Sequence, residues 1–248
     1  MEKIPKIIHY CWFGKGEKNE LIKRCIESWK EYLPDYKIIE WNEENFDVES
    51  TLYTRQAYQK KKWAFVSDYV RLYALLEYGG IYLDTDVEVI KNLDFLLENE
   101  AFIGYEDEKL LQTAVIGSKK DNKWIKIILN IYNNKRFIKL NGELDCTPNV
   151  KIITDVLKEK FKLNLLKGYQ TLNDGVVVYP KEYFCPKVWK TNEIMITKNT
   201  CTIHHYDGSW IESESERKKR KRRKKIRKIF IFLCVIISVF YIKKIFFN

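Results

Sequence analysis

Apolar residues recur along this chain with two periods, one helical and one strand-like, and the two meet in residues 62–88. Ala64, Phe65, Val66, Tyr69, Val70, Leu72, Tyr73, Leu75 and Leu76 fall at helical spacing, with no Pro or Gly before Tyr78. Gly79-Gly80 predicts the end of that helix, because glycine accepts the positive φ that a helix C-terminus commonly requires. Ile81, Tyr82 and Leu83 then predict a short buried strand, which stops in Asp84-Thr85-Asp86. Two carboxylates thus fall at or just past the carboxyl end of a core strand, where open α/β sheets bind their ligands.

The same two periods predict the remaining elements. Residues 6–13 (KIIHYCWF) read as a first core strand ending at Gly14 and Gly16, residues 20–32 as a helix, and residues 36–41 as a second strand. Strand, helix, strand is the opening of a Rossmann-like α/β fold. Residues 45–61 are polar and predict a helical link. Val87–Ile90 reads as a continuation of the strand that ends in the aspartates. Strands are predicted at 102–105 and 114–117, and helices at 122–133 and 149–160. Residues 163–198 break into short β-like pieces, and residues 200–210 predict a strand running into His204-His205, then a turn to Trp210.

Two adjacent aspartates at a strand end need an explanation, since burying a lone carboxylate costs several kcal/mol. A divalent cation with oxygen ligands, its shell completed by phosphates, supplies one. A solvated turn supplies another. Asp68 and Arg71 stand three apart on an otherwise apolar helix face. They form either a structural i,i+3 pair, or a pair in which Asp68 accepts sugar hydroxyls and Arg71 binds phosphate or sugar oxygens. His9 is read as a core histidine making a hydrogen bond. Of the paired His204 and His205, only one can reach a site, because neighbours on a strand face opposite sides.

Ser67-Asp68, Arg71, Gly79-Gly80, Tyr82, Asp84 and Asp86 together resemble the DXD-motif glycosyltransferases of family 32. That group is similar to fungal initiating mannosyltransferases, bacterial capsule enzymes and the catalytic domains of large clostridial glucosylating toxins. Ile7, His9, Trp12 and Gly14 resemble the family's opening motif, and Cys146-Thr147-Pro148 its later turn, which borders the acceptor. The resemblance implies a GT-A fold, a UDP- or GDP-sugar donor, a catalytic Mn²⁺ or Mg²⁺, and retention at the anomeric carbon. It implies that Asp84 and Asp86 hold the metal, with His205 preferred over His204 as a third ligand. Asp68 and Arg71 would orient the sugar, with Ser67 beside them. Trp12 and Tyr82 would contact the nucleotide, and Ser209 and Trp210 would close over the phosphates, with Asp207 nearby. The acceptor would be a glycan or lipid-linked glycan in capsule or exopolysaccharide assembly. The rival readings are a toxin-like protein glucosyltransferase, disfavoured by the missing secretion signal and extra domains, and a catalytically inactive membrane-bound scaffold.

Charge refines the picture. The formal +10 of the 248-residue chain is concentrated in a tail, where eleven of the twelve residues 217–228 are Lys or Arg. Residues 1–216 hold 31 basic and 34 acidic residues, about −3, which excludes a nucleic-acid binder. Fourteen residues, 229–242, follow the basic run with only Ser238 polar. At about 1.5 Å per residue they fall short of the roughly 30 Å hydrocarbon core, yet with flanking lysines they predict membrane attachment at the cytoplasmic face. The expected organisation is a glycosyltransferase domain over 1–211, a polar and basic linker over 212–228, and an apolar membrane-associated tail over 229–248. Six scattered cysteines without a C-x-x-C, and no signal-peptide pattern, predict reduced thiols in a cytoplasmic protein.

Overall fold

A computed structural model describes residues 3–188 and 191–207. Ser209, Trp210 and the expected linker and tail over 212–248 lie outside the described residues. Among the described residues, no helix is long and apolar enough to cross a membrane.

The fold is α/β, as expected, and is built on one mixed sheet. β1 (Ile7–Cys11), β2 (Lys37–Trp41) and β3 (Gly80–Leu83) are parallel neighbours, and β6 (Val115–Ser118) joins β3 antiparallel. β5 (Ala101–Gly104), β8 (Val176–Tyr179) and β7 (Gln170–Thr171) complete the order β2-β1-β3-β6-β5-β8-β7. Alternation along each strand divides the core between the two faces. Tyr82, Ile103, Val176 and Val178 join one apolar cluster, while Ile81, Leu83, Phe102, Val177 and Tyr179 join the other. Helices α2 (Leu52–Gln59), α3 (Trp63–Tyr78), α4 (Lys123–Asn133) and α5 (Asn149–Phe161) supply residues to the first cluster. From α1 (Glu20–Tyr32), Trp29 enters the second.

One expected continuity fails. Val87–Val89 does not prolong β3 but forms β4, which pairs antiparallel with β9 (Thr202–His204) in a separate two-stranded sheet. Helix α1 fixes this turn of the chain. Its Trp29 Nε1 donates to Val87 O at 2.7 Å, and its Ser28 Oγ accepts from Val89 N–H at 2.9 Å. The 45–61 link resolves into turns and the shorter helix α2, whose N-terminus Thr51 caps by accepting from Thr54 N–H.

The α3–β3 junction requires its glycines. Gly80 has φ +110°, and a Cβ there would lie 2.6 Å from Ile7 O. The adjoining His9 is fully buried between two partners, as read from the sequence. Its Nε2 donates to Gly79 O at 2.8 Å, while Nδ1 accepts from Trp41 Nε1 at 3.1 Å. This tautomer leaves no room for a second ring proton, and burial pushes the imidazole down to about 4. The folded value lies below the ordinary 6.5, so the unfolded chain takes up the proton first as pH falls. His9 therefore contributes stability above pH 6.5 that is lost toward pH 4, up to about 3 kcal/mol. Urea unfolding at pH 6.5 and 4.5 should show a steeper loss for the native chain than for His9→Gln; equal losses would contradict this account.

Candidate active site

The site forms where β3 ends. Asp84 N–H donates to Ala114 O at 2.8 Å, carrying the β3–β6 ladder one residue further before the chain turns toward β4. By the period of two, Tyr82 and Asp84 face the side of the sheet covered by α3. Tyr82 Oη donates to Asp84 Oδ1 at 2.9 Å, and Arg71, one helical turn beyond Asp68, reaches both aspartates. Its Nη2 lies 3.4 Å from Asp68 Oδ1 and 3.3 Å from Asp84 Oδ1.

Arg71 is therefore a buried clamp. Only 4% exposed, it also donates from Nη1 to Thr113 O at 2.6 Å and from Nε to Ser67 O at 3.2 Å, and it lies 4.5 Å from the Tyr82 ring centre. Burial opposes its charge, but Asp84, Tyr82 and Asp68 outweigh burial and hold the guanidinium protonated. The sequence expected Arg71 to bind phosphate or sugar; in the structure its Nε and Nη1 each donate to a backbone carbonyl and its Nη2 faces two carboxylates. Tyr82, expected against the nucleotide, is 1% exposed and instead orients Asp84. Ser67 Oγ donates back to Trp63 O at 3.2 Å, a bond within the helix.

Asp68 is 8% exposed, and burial pushes its carboxyl up to about 7; Arg71 pulls it down and Asp84 pushes it up. At neutral pH this group can both accept and donate a hydrogen bond. Trp12, at the end of β1, is half-buried, its Nε1 donating to Gly16 O at 2.7 Å and Lys18 Nζ lying 5.3 Å from its ring centre. The neighbouring Gly14, at φ +91°, lets this loop pack on Trp63, whose indole would lie 2.5 Å from a Cβ at that position.

The third potential ligand is His204 and not the expected His205. One ligand atom each from Asp84, Asp86 and His204 lie within 4.8 Å of one another. His204 Nε2 stands 3.4 Å from Asp86 Oδ1, whereas His205 Nε2 bonds Glu88 Oε2 at 2.7 Å on the other side. Register decides this: Val87 pairs with His204 across the β4–β9 ladder, and Asp86 O then accepts from His205 N–H at 3.0 Å. Asp86 Oδ2 also accepts from Asp207 N–H at 2.8 Å. Burial raises the Asp86 carboxyl, but His204 and the Asp207 amide outweigh that and hold it low; Asp86 in turn outweighs burial to hold His204 high. Two carboxylates and an imidazole are a donor set that fits a divalent cation. The His204 ring also lies 4.0 Å from that of Tyr206, centre to centre.

Residues 19–103 match the family model described as "Glycosyltransferase sugar-binding region containing DXD motif". Inositol phosphoceramide mannosyltransferase 3 of Schizosaccharomyces pombe is 29% identical over 136 residues, 52% of this chain and 37% of that protein. Lactosylceramide 4-alpha-galactosyltransferase of Rattus norvegicus is 27% identical over 125 residues, 50% of this chain and 32% of that protein. The matched region thus spans about a third of the length of these curated relatives. Among solved structures, the PaToxG glycosyltransferase aligns with a TM-score of 0.47 at 21% identity, covering 64% of this chain and 70% of that one. The matched span contains the Asp68–Arg71 pair and both aspartates of Asp84-Thr85-Asp86, and over residues 19–103 the chain carries the sugar-binding region of the DXD-containing glycosyltransferases.

Proposed function

We propose that this chain moves a sugar from a nucleoside diphosphate donor to a glycan or lipid-linked glycan acceptor, on a GT-A fold and with retention at the anomeric carbon. The observation that carries the reading is the meeting of Asp84, Asp86 and His204 within 4.8 Å at the end of β3, beside the buried Asp68–Arg71 pair. These three residues would hold Mn²⁺ or Mg²⁺, which supplies charge neutralisation for the departing diphosphate. Tyr82 and Arg71 hold Asp84 by its Oδ1. Asp68 accepts a hydroxyl of the transferred sugar, and the flat Trp12 ring lies against the base. His204 and the Asp207 amide fix Asp86 from the β9 side.

Capsule or exopolysaccharide assembly remains the proposed setting, and a lipid-borne acceptor also suits the ceramide-directed relatives. The deciding experiment incubates the full chain with UDP-glucose, UDP-galactose or GDP-mannose. Release of nucleoside diphosphate that needs Mn²⁺ or Mg²⁺ and stops with chelator is the expected result. No release from any donor would favour the inactive scaffold.

The basic and apolar runs over 217–242 motivate a further part of the proposal, attachment to the cytoplasmic membrane face. Basic residues contribute a salt-screened attraction and buried apolar side chains a salt-insensitive one. Detergent should release the full-length chain from membranes while salt at about 1 M should not. Complete release by salt would reduce the tail to an electrostatic patch.

A further inference from the structure

Asn149, the first residue of α5, holds a buried hydrogen-bond donor that no described residue uses. The residue is 8% exposed, and its Nδ2 has no partner. Its orientation is fixed, since Oδ1 accepts from Thr113 Oγ1 at 3.1 Å and so turns Nδ2 away from that hydroxyl. Leaving such a group unpaired costs roughly 1–3 kcal/mol, so its retention calls for a reason. The place of Asn149 supplies one. Arg71, which clamps Asp68 and Asp84, donates to the carbonyl of the same Thr113 at 2.6 Å. Asn149 is thus joined through one residue to the clamp behind both site aspartates. Pro148 gives α5 no side-chain cap, so the positive end of this 13-residue helix opens at Asn149.

Among the described residues, other buried side-chain atoms also lack a partner. The hydroxyls of Tyr53 and Tyr132 have no hydrogen-bond partner, and after burial itself the Asp68 charge is the next cause holding both protonated. Lys135 Nζ lies 5.6 and 5.7 Å from the Tyr53 and Tyr132 ring centres and pairs with Asp145 at 3.3 Å. A phosphate is a poor guest beside Asp68, because that carboxylate would repel it, the Arg71 charge is already shared between two carboxylates, and Lys135 is paired with Asp145. A neutral hydroxyl fits, since its proton can go to Asp68 while its oxygen accepts from Asn149.

We infer that Asn149 is a specificity-determining residue whose Nδ2 donates to a hydroxyl of the transferred sugar, paired with Asp68 as the acceptor. This rests on the donor reading above and adds to it the residue that distinguishes a sugar from a bare diphosphate. Asp68 and Asn149 then read one hydroxyl, or a vicinal pair, by its full donor and acceptor capacity.

Titration calorimetry with Mn²⁺ tests it on the full chain, comparing UDP-glucose, UDP-galactose and GDP-mannose with UDP and GDP. Asn149→Ala should bind the preferred sugar nucleotide at least about tenfold more weakly, a loss of roughly 1.4 kcal/mol. Binding of UDP or GDP should stay within about twofold. Asn149→Asp keeps an oxygen for Thr113 while removing the donor, so it provides the same comparison if the alanine variant folds poorly. It should lose at least as much sugar-nucleotide affinity. Equal weakening of UDP and UDP-sugar would make Asn149 a structural residue or the holder of a water molecule, and unchanged binding would also overturn the inference. A native chain that binds nucleoside diphosphate but no sugar nucleotide more tightly would remove the donor reading together with it.

Discussion

Asp86→Asn should lower metal-dependent turnover at least about a thousandfold, the equivalent of roughly 4 kcal/mol of transition-state stabilisation. Asp86 is the aspartate whose two oxygens are both oriented by β9 and the residues just after it, one facing His204 at 3.4 Å and the other accepting the Asp207 amide at 2.8 Å. Asparagine keeps the shape and one oxygen, but removes the charge that a cation needs and that keeps His204 high. Two neighbouring aspartates suggest that losing one charge relieves repulsion in the free chain. Pairing with His204 offsets that relief, so a small loss of stability, about 1 kcal/mol, should accompany the lost turnover. Activity within tenfold of the native chain would remove Asp86 from the site.

Arg71→Met should destabilise the fold by about 3–5 kcal/mol, because it leaves the buried Asp68 and the half-buried Asp84 without their counter-charge. The substitution strands Asp68 and Asp84 and takes a donor from Thr113 O and another from Ser67 O. Arg71→Lys should restore little. An ammonium on a flexible stem cannot reach carboxylates and carbonyls in the directions the planar guanidinium serves at once. Urea unfolding measures both. A loss below about 1 kcal/mol for Arg71→Met would return the Asp68–Arg71 pair to the class of exposed helical ion pairs. A companion Asp68→Asn, which keeps the Arg71–Asp84 bond, should be milder in stability and still impair donor use. Arg71 thus acts on chemistry through the aspartates it holds.

Much of this was legible in the residues themselves. The span 20–32 reads as a helix with Leu21, Cys25 and Trp29 on one stripe, and α1 occupies those same residues, though it buries Ile22 in place of Leu21. Gly79-Gly80 stops α3 because only glycine meets Ile7 O so closely at positive φ. Local pattern also placed Asp84 and Asp86 at the strand end, for a strand cannot continue its buried alternation through two carboxylates. The central histidine was equally readable, as an imidazole inside an apolar strand must find partners there.

Tertiary structure decided the rest, and in each case the reason is a contact between residues far apart in sequence. Whether His204 or His205 faces the aspartates depends on the register of β9 against β4, and a shift of one residue would exchange them. Whether Val87–Val89 extends β3 depends on Trp29 and Ser28 of α1, which draw it into another sheet. Arg71 looked free to bind a ligand because its distant partners, Asp84 and Thr113, come from a strand end and a loop. Asn149 gave no signal at all, since an unused donor becomes visible only when every neighbour has been placed. Periodicity records which face of an element is buried; which polar atoms are left without partners inside that face is fixed only when the elements pack.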